Sequence, residues 1–373
     1  MARRTIAVAG HVCLDVTPTF APGARVDLTP GALVHVGPAV RSIGGAVGNT
    51  GLALHRLGQP VRLIGKLGED GFGRGVVGIL NDIDPALAEA MTVAPGETSS
   101  YSVVIDPPDA DRMFLHCPGA NDTFTDADID WDRLDDAAIL HFGYPPIMRS
   151  MLDPEPGYRL FAEAGRRGLL TSLDMTAIDP NSPAADVDWV AWLRRVLPTV
   201  DLFLPSLDET LTMLGQPLAQ PTPHVIMTAA DRLIELGARV VMLKLGEHGA
   251  YLRTTSDPPP RLAALAGDGW ADRELYAPRF DAQVAGTSGT GDCTIAGFLA
   301  AVMRGEGPID CLTAGTAVGG ASVETTDATS ALPAWPAIAK RVAEGWPRHA
   351  ASPGFDAWTS RDGLRAGPRD ASS

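Results

Sequence analysis

Cysteine is scarce in this chain and forms no pattern: Cys13, Cys117, Cys293 and Cys311 lie far apart, without a CxxC pair or the Cys/His spacing of a ligand set. This argues against a structural zinc site and a disulfide framework, and suits buried thiols in a reducing compartment. Basic residues are also few, 30 Lys and Arg against 45 Asp and Glu, for a formal net charge of -15. Binding a phosphate backbone requires Lys and Arg to neutralise it, so no nucleic-acid partner is expected. No stretch reaches the roughly 18 apolar residues of a membrane span. The basic start "MARRTIAVAGHVCLDV" meets His11 and Asp15 too early for the core of a secretory signal, so the expected location is cytoplasmic. Two phosphate-binding fingerprints are missing as well. No GxxxxGK[ST] stretch occurs, and "AVAGHVCLD" has one glycine where a dinucleotide turn needs several, which counts against a dinucleotide-dependent oxidoreductase.

What is present is a chain of 373 residues, 45% hydrophobic, long enough to bury a large core. Its glycines and prolines are spread out as punctuation. Short apolar runs recur ("TIAVAG", "VRLIG", "AAILHFG", "LLTSLD", "DLFLPS", "VVMLKLG"), with helix-like segments between most of them at 47–57, 72–81, 158–167, 208–214 and 228–236. This alternation predicts an α/β fold: a central, mostly parallel sheet with helices on both faces. Segments 12–40 and 98–117 break the rhythm and read as extended chain, a small antiparallel sheet that would form a lid. Residues 254–276 read as a Pro/Gly-rich surface loop. Residues 351–373 read as a frayed tail behind one domain spanning 1–350.

One stretch, "GTSGTGDCTIAGF" at 286–298, poses a chemical question. Ile295, Phe298, Leu299, Val302 and Met303 mark the buried face of a helix that begins near Gly291 or Asp292. The turn Gly289, Thr290, Gly291 leaves unobstructed backbone N–H groups where the helix dipole favours negative charge, an anion cradle. Asp292 is either a first-turn capping residue or a general base beside that cradle, and the local sequence does not choose. In "SIGGAVGNTGLALHRLG" at 42–58, Gly44 and Gly45 allow a ligand close to the backbone, and Asn49 offers a donor and an acceptor to hydroxyls. A plain helix entry with a capping Asn explains the same residues. "GKLGEDGFG" at 65–73 adds a turn-rich strand-to-helix link.

Together these three stretches resemble the PfkB carbohydrate kinases, the ribokinase-like family, over about residues 5–330. The resemblance implies an α/β body with a β lid, and an ATP-dependent transfer to a hydroxyl of a sugar or sugar-like polyol bound between them. It makes Asp292 the catalytic base and the amides of Gly289, Thr290 and Gly291 an anion hole for the transferring phosphoryl group. Asp15, Gly44, Gly45 and Asn49 would hold substrate hydroxyls. In "LPSLDET" the family's NxxE becomes Ser206 to Glu209, and Glu209 keeps the acidic member associated with Mg2+, through water. In "KLGEHG" Gly246 and Gly249 would shape the nucleotide site, and Thr316 would approach the nucleotide base.

Several positions depart from the family pattern. Gly286 replaces an Asp, which leaves a monovalent-cation site in question. Ser206 replaces Asn. Lys244 replaces a small hydroxyl residue, and either meets a phosphate directly or stands in solvent at a strand end. His141 and Gly143 stand where relatives carry polar or acidic substrate contacts. Two other readings stay open: a nucleoside kinase on the same fold, which base-stacking aromatics in the lid would favour although the lid segments offer only Phe20, Tyr101 and Phe114, and a ligand-binding or regulatory member without catalysis. His11, His116 and His248 show no mutual ligand spacing and read as ordinary core or surface histidines. The oligomeric state is open, and a homodimer is compatible with the sequence.

Overall fold

The computed structural model describes residues 5–21, 29–31, 33–107, 113–327 and 329–370. In chain order the first strands are β1 (Thr5–Gly10), β2 (Cys13–Pro18), β3 (Ala39–Gly44), β4 (Val61–Ile64), β5 (Lys66–Gly68), β6 (Thr92–Ala94), β7 (Tyr101–Ile105) and β8 (Met113–Cys117). They are followed by β9 (Ala137–Gly143), β10 (Leu170–Asp174), β11 (Leu202–Phe203), β12 (Val240–Lys244), β13 (Ala250–Thr254), β14 (Glu274–Ala277), β15 (Thr359–Arg361) and β16 (Leu364–Ala366). The α-helices are α1 (Gly45–Arg56), α2 (Gly71–Ile83), α3 (Pro154–Arg166), α4 (Trp189–Val196), α5 (Leu207–Met213), α6 (Pro223–Glu235), α7 (Pro260–Ala266), α8 (Thr290–Met303), α9 (Pro308–Ser322) and α10 (Trp335–Ala343).

The main sheet runs β15-β16-β14-β13-β12-β11-β10-β9-β1-β4. Pairing is parallel from β4 to β12 and antiparallel from β12 outward to β15. Side chains alternate across a strand, and β1 shows the result. Ile6 and Val8 join a core layer with Leu54 of α1 and Phe298 of α8, while Ala7 and Ala9 join another with Phe161 of α3, Trp192 of α4 and Leu233 of α6. Every residue of β1 is buried, which is why it reads as an unbroken apolar run.

A separate sheet, ordered β3-β2-β7-β8, forms from the two segments that lacked helix periodicity. It is mixed rather than antiparallel throughout: β2 and β7 run parallel, because the chain passes through α1, β4, β5, α2 and β6 before returning beside β2. Residues 22–28, 32 and 108–112 of the expected lid lie outside the described residues.

Two sequence expectations are corrected. The segment 254–276 is packed structure: Leu262 of α7, Trp270 and Leu275 of β14 are all buried. The supposed tail adds β15 and β16 to the sheet through β14, with Phe355 stacked on Tyr276 at 3.9 Å. Few apolar residues were needed there because ion pairs fasten the end. Arg273 Nε donates to Asp370 at 3.2 Å, and Arg369 donates to the buried Glu274 at 2.7 Å. Residues 371–373 lie outside the described set.

Candidate active site

In a parallel sheet the strands' carboxyl ends open into a crevice, and the chemistry-bearing residues gather there. His11 follows β1, Tyr144 follows β9, Asp174 ends β10, Ser206 lies just past β11 and Lys244 ends β12. Helices α1 and α8 start at the same edge.

Asp292, in the first turn of α8, is only 3% exposed. Its Oδ2 accepts hydrogen bonds from Asn49 Nδ2 (3.2 Å) and the Tyr144 hydroxyl (2.6 Å), and its Oδ1 accepts one from Thr50 Oγ1 (3.0 Å). Burial raises its pKa above the ordinary carboxylate value, while these donors and the Lys244 charge pull it back. Asp292 therefore does not cap its own helix. Gly289 occupies the N-cap at φ 64°, a left-handed conformation that glycine adopts without steric cost, and brings no capping side chain. The cradle is narrower than expected, since Thr290 N–H points back to Thr287 O at 3.4 Å. The N–H groups of Gly291 and Asp292, in the first turn, have no intrahelical partner.

Lys244 does not stand in solvent at a strand end; it borders the cavity described below. Its Nζ lies 2.6 Å from Oδ1 of Asp174, with both side chains buried. Burial alone would lower its pKa, but Asp174, Glu209 and Asp292 hold it above the ordinary value. Ser206 and Glu209 form a reciprocal capping box at α5: Ser206 N–H donates to Glu209 Oε2 at 2.7 Å, and Glu209 N–H donates to Ser206 Oγ at 3.2 Å. The serine thus keeps a structural role that the sequence presents as a loss.

A cavity of about 440 Å³ lies against this edge, bounded among others by Gly246, Gly249, Phe280, Gly289, Gly291 and Thr316. Thr316 accepts from Arg348 at 3.1 Å behind that wall. The cavity's ionisable lining comprises Asp174, Glu209, Glu247 and Asp292 against Lys244 and Arg279. An acidic cavity of this kind takes a polyphosphate only with added positive charge. No group of three or more acidic, His or Cys residues placed to hold a metal ion occurs among the described residues, so a divalent cation here would draw most of its ligands from water and phosphates.

On the other side of Asp292, Asp15 on β2 accepts from the Cys13 thiol at 3.2 Å, and burial raises its pKa. Gly44 packs directly on that carboxylate; a Cβ there would fall 2.2 Å from Oδ2. Gly45, at φ 80°, leaves the space that His11 fills: a Cβ would lie 2.5 Å from His11 Nδ1. His11 and His116, distant in sequence, meet Nε2 to Nε2 at 3.3 Å across the two sheets, a contact that their spacing in the sequence does not show. Both stay neutral, His11 with its pKa lowered to about 3, chiefly by burial. His248 instead pairs with Ser352 at 2.9 Å.

Asn49 reaches Asp292 directly rather than standing apart with Asp15. His141 is fully buried, bonded to Ser172 at 2.9 Å, and Gly143 packs on Ala46 of α1. Neither lines the cavity; the next residue, Tyr144, does. Thr50 lies beside Asn49 in the 42–58 stretch, whereas Tyr144 and Asp174 belong to no motif. Only Asp174 had a signal, a carboxylate closing an apolar strand. Gly286 sits against the carbonyls of Thr325 and Thr326, where a Cβ would come within 2.8 Å, so this backbone has no room for the missing carboxylate. Of the lid aromatics, Tyr101 stacks on Phe72 at 4.4 Å and Phe114 faces solvent.

Known proteins resemble this chain in sequence and in fold. An uncharacterized sugar kinase of Archaeoglobus fulgidus is 25% identical over 282 residues, covering 76% of this chain and 98% of that protein. Fructokinase-2 of Solanum lycopersicum is 31% identical over 136 residues, 36% of this chain and 39% of the relative. The structure of Arabidopsis thaliana ribokinase complexed with ribose and ATP superimposes with a TM-score of 0.70 at 21% identity, over 91% of this chain and 98% of that one. Residues 4–335 match the profile of the pfkB family carbohydrate kinases, and the chain belongs to that family of ATP-dependent enzymes.

Proposed function

We propose that the protein transfers the γ-phosphoryl group of ATP to a hydroxyl of a neutral sugar or sugar-like polyol, with Asp292 as the base. The observation that carries this reading is one helix end: the Asp292 carboxylate and the unpaired first-turn amides of α8 border the same cavity. The acceptor alcohol's oxygen bonds to Pγ, the bond from Pγ to the ADP oxygen breaks, and the proton passes to Asp292. The Gly291 and Asp292 amides receive the transferring group at the positive helix end, with Gly289 and Thr290 shaping the turn.

Glu209 would hold Mg2+ through water, and the cation would supply the charge that the acidic cavity lacks. Lys244 contributes a fixed positive charge, Gly246 and Gly249 border the nucleotide, and Thr316 faces its base. Asp15, Gly44 and Gly45 line the acceptor side, and Asn49 orients Asp292 there. The small sheet closes over the acceptor and excludes water. A second copy of the chain would cover the exposed Met113, Phe114 and Leu115 of the edge strand β8, and sedimentation tests that homodimer.

Assaying ADP release with ATP and Mg2+ over a panel of sugars, polyols and nucleosides tests the reading. Preference for nucleosides would favour the alternative, which the Tyr101–Phe72 stack and the outward Phe114 do not support. An Asp292→Asn variant that is folded and still turns over like wild type would remove the base.

A further inference from the structure

Among the three donors on Asp292, Tyr144 stands apart. Asn49 and Thr50 belong to α1, whose position is fixed by its packing on α8 and the sheet, whereas Tyr144 sits on the turn after β9. Its backbone is strained: φ is 73° and ψ is 39° for a bulky side chain. The other non-glycine residues with positive φ among the described residues are Asp272 and Asp362, a residue type that tolerates this region. Strain of this kind persists only where the surroundings hold it, and it gathers at sites that switch.

The holders are identifiable. Tyr144 N–H donates to Asp174 O at 3.4 Å, Pro145 and Pro146 follow, and the hydroxyl is tied to Asp292 Oδ2 at 2.6 Å. The side chain spans both halves of the site. It borders the nucleotide cavity, and its ring lies 6.2 Å from that of His11 on the acceptor side. Burial, Asp292 and Asp174 push the phenol's pKa well above 10, so at neutral pH it can only donate to the carboxylate.

We propose that the Tyr144 hydroxyl is a placeholder for the acceptor alcohol: it occupies Asp292 Oδ2 until a substrate hydroxyl takes over that hydrogen bond. The inference rests on Asp292 being the kinase base. A kinase with a bare base beside its anion hole would activate water. Water's oxygen would bond to Pγ, the bond from Pγ to ADP would break, and Asp292 would take the proton, yielding ADP and phosphate without product. With Oδ2 already bonded, water gains nothing by entering. An acceptor anchored by its other hydroxyls can still displace the phenol, and the strained turn relaxes as the phenol leaves. Tyr144 is thus a positioning residue that sets selectivity between water and alcohol.

Tyr144→Phe removes one oxygen and keeps the ring. The test compares wild type, Tyr144→Phe and Asp292→Asn with ATP and Mg2+ alone, then with D-ribose, D-fructose and the wider sugar panel, alongside thermal midpoints. Tyr144→Phe should raise acceptor-free ATP hydrolysis roughly tenfold, the factor that 1.4 kcal/mol carries, and Asp292→Asn should abolish the hydrolysis. Tyr144→Phe should also lower the KM of the sugar acceptor by more than it changes kcat. Sugar phosphorylation in which Tyr144→Phe leaves idle hydrolysis at the wild-type level, or lowers only kcat, would overturn the placeholder and leave the kinase reading intact. No transfer to any sugar by the wild type would overturn the kinase reading and this inference with it.

Discussion

Lys244 Nζ and Asp174 Oδ1 lie 2.6 Å apart at the carboxyl ends of β12 and β10, on either side of the short β11, a buried ion pair that borders the cavity. A Cβ placed on Gly291 would be 3.5 Å from that same Nζ, so the ammonium is also a near neighbour of the helix end proposed to receive phosphate. Breaking such a pair leaves an uncompensated charge. Asp174→Asn should lower the unfolding free energy by about 3 kcal/mol, read from urea titrations. It should also tighten ATP binding in calorimetry, because one negative charge leaves an acidic cavity.

Asp292 gives a pH prediction of definite sign. A base works ionised, and burial raises this group's pKa, so kcat should fall as pH drops through a value above that of an ordinary carboxylate. A carboxyl whose pKa is raised on folding adds stability below its unfolded pKa and loses it as pH rises through the folded value. Neutral pH therefore carries a cost that Asp292→Asn removes. The variant should unfold at no lower urea concentration than wild type at pH 7 while losing roughly 10²- to 10⁴-fold in kcat. Urea and steady-state curves together check both halves.

Gly289 provides the left-handed turn that starts α8. An L-residue there costs roughly 1–2 kcal/mol, and any relaxation moves the first-turn amides. Gly289→Ala should cost that amount in unfolding free energy and lower kcat more than it raises the KM for ATP, since the hole serves the transition state more than the bound nucleotide. A pure KM effect would contradict the anion-hole assignment.

The chain's end should prove structural. Asp370→Ala leaves the buried Arg273 guanidinium without its carboxylate, at a cost of about 3–5 kcal/mol, visible as a lower urea midpoint. A genuinely frayed end would leave the midpoint unchanged.

The sequence by itself determined the central parallel strands and the start of α8. The chain is apolar from Ile6 to Ala9 and from Val240 to Leu243 because both faces of the parallel sheet are covered, and the spacing of Ile295, Phe298 and Leu299 places the start of α8 within two residues. It also brought Asp292 and the glycine turn forward, because a helix entrance imposes local rules on the chain that makes it. What only the tertiary structure decided are the partners: Tyr144 and Asn49 on Asp292, Asp174 under Lys244, His11 against His116, and Arg273 and Arg369 holding the terminal segment. Each joins groups many residues apart, whose meeting depends on strand order and helix packing. Neither Tyr144 nor Asp174 belongs to a motif, since a hydroxyl or carboxylate at a strand end takes its meaning from what the sheet sets opposite it.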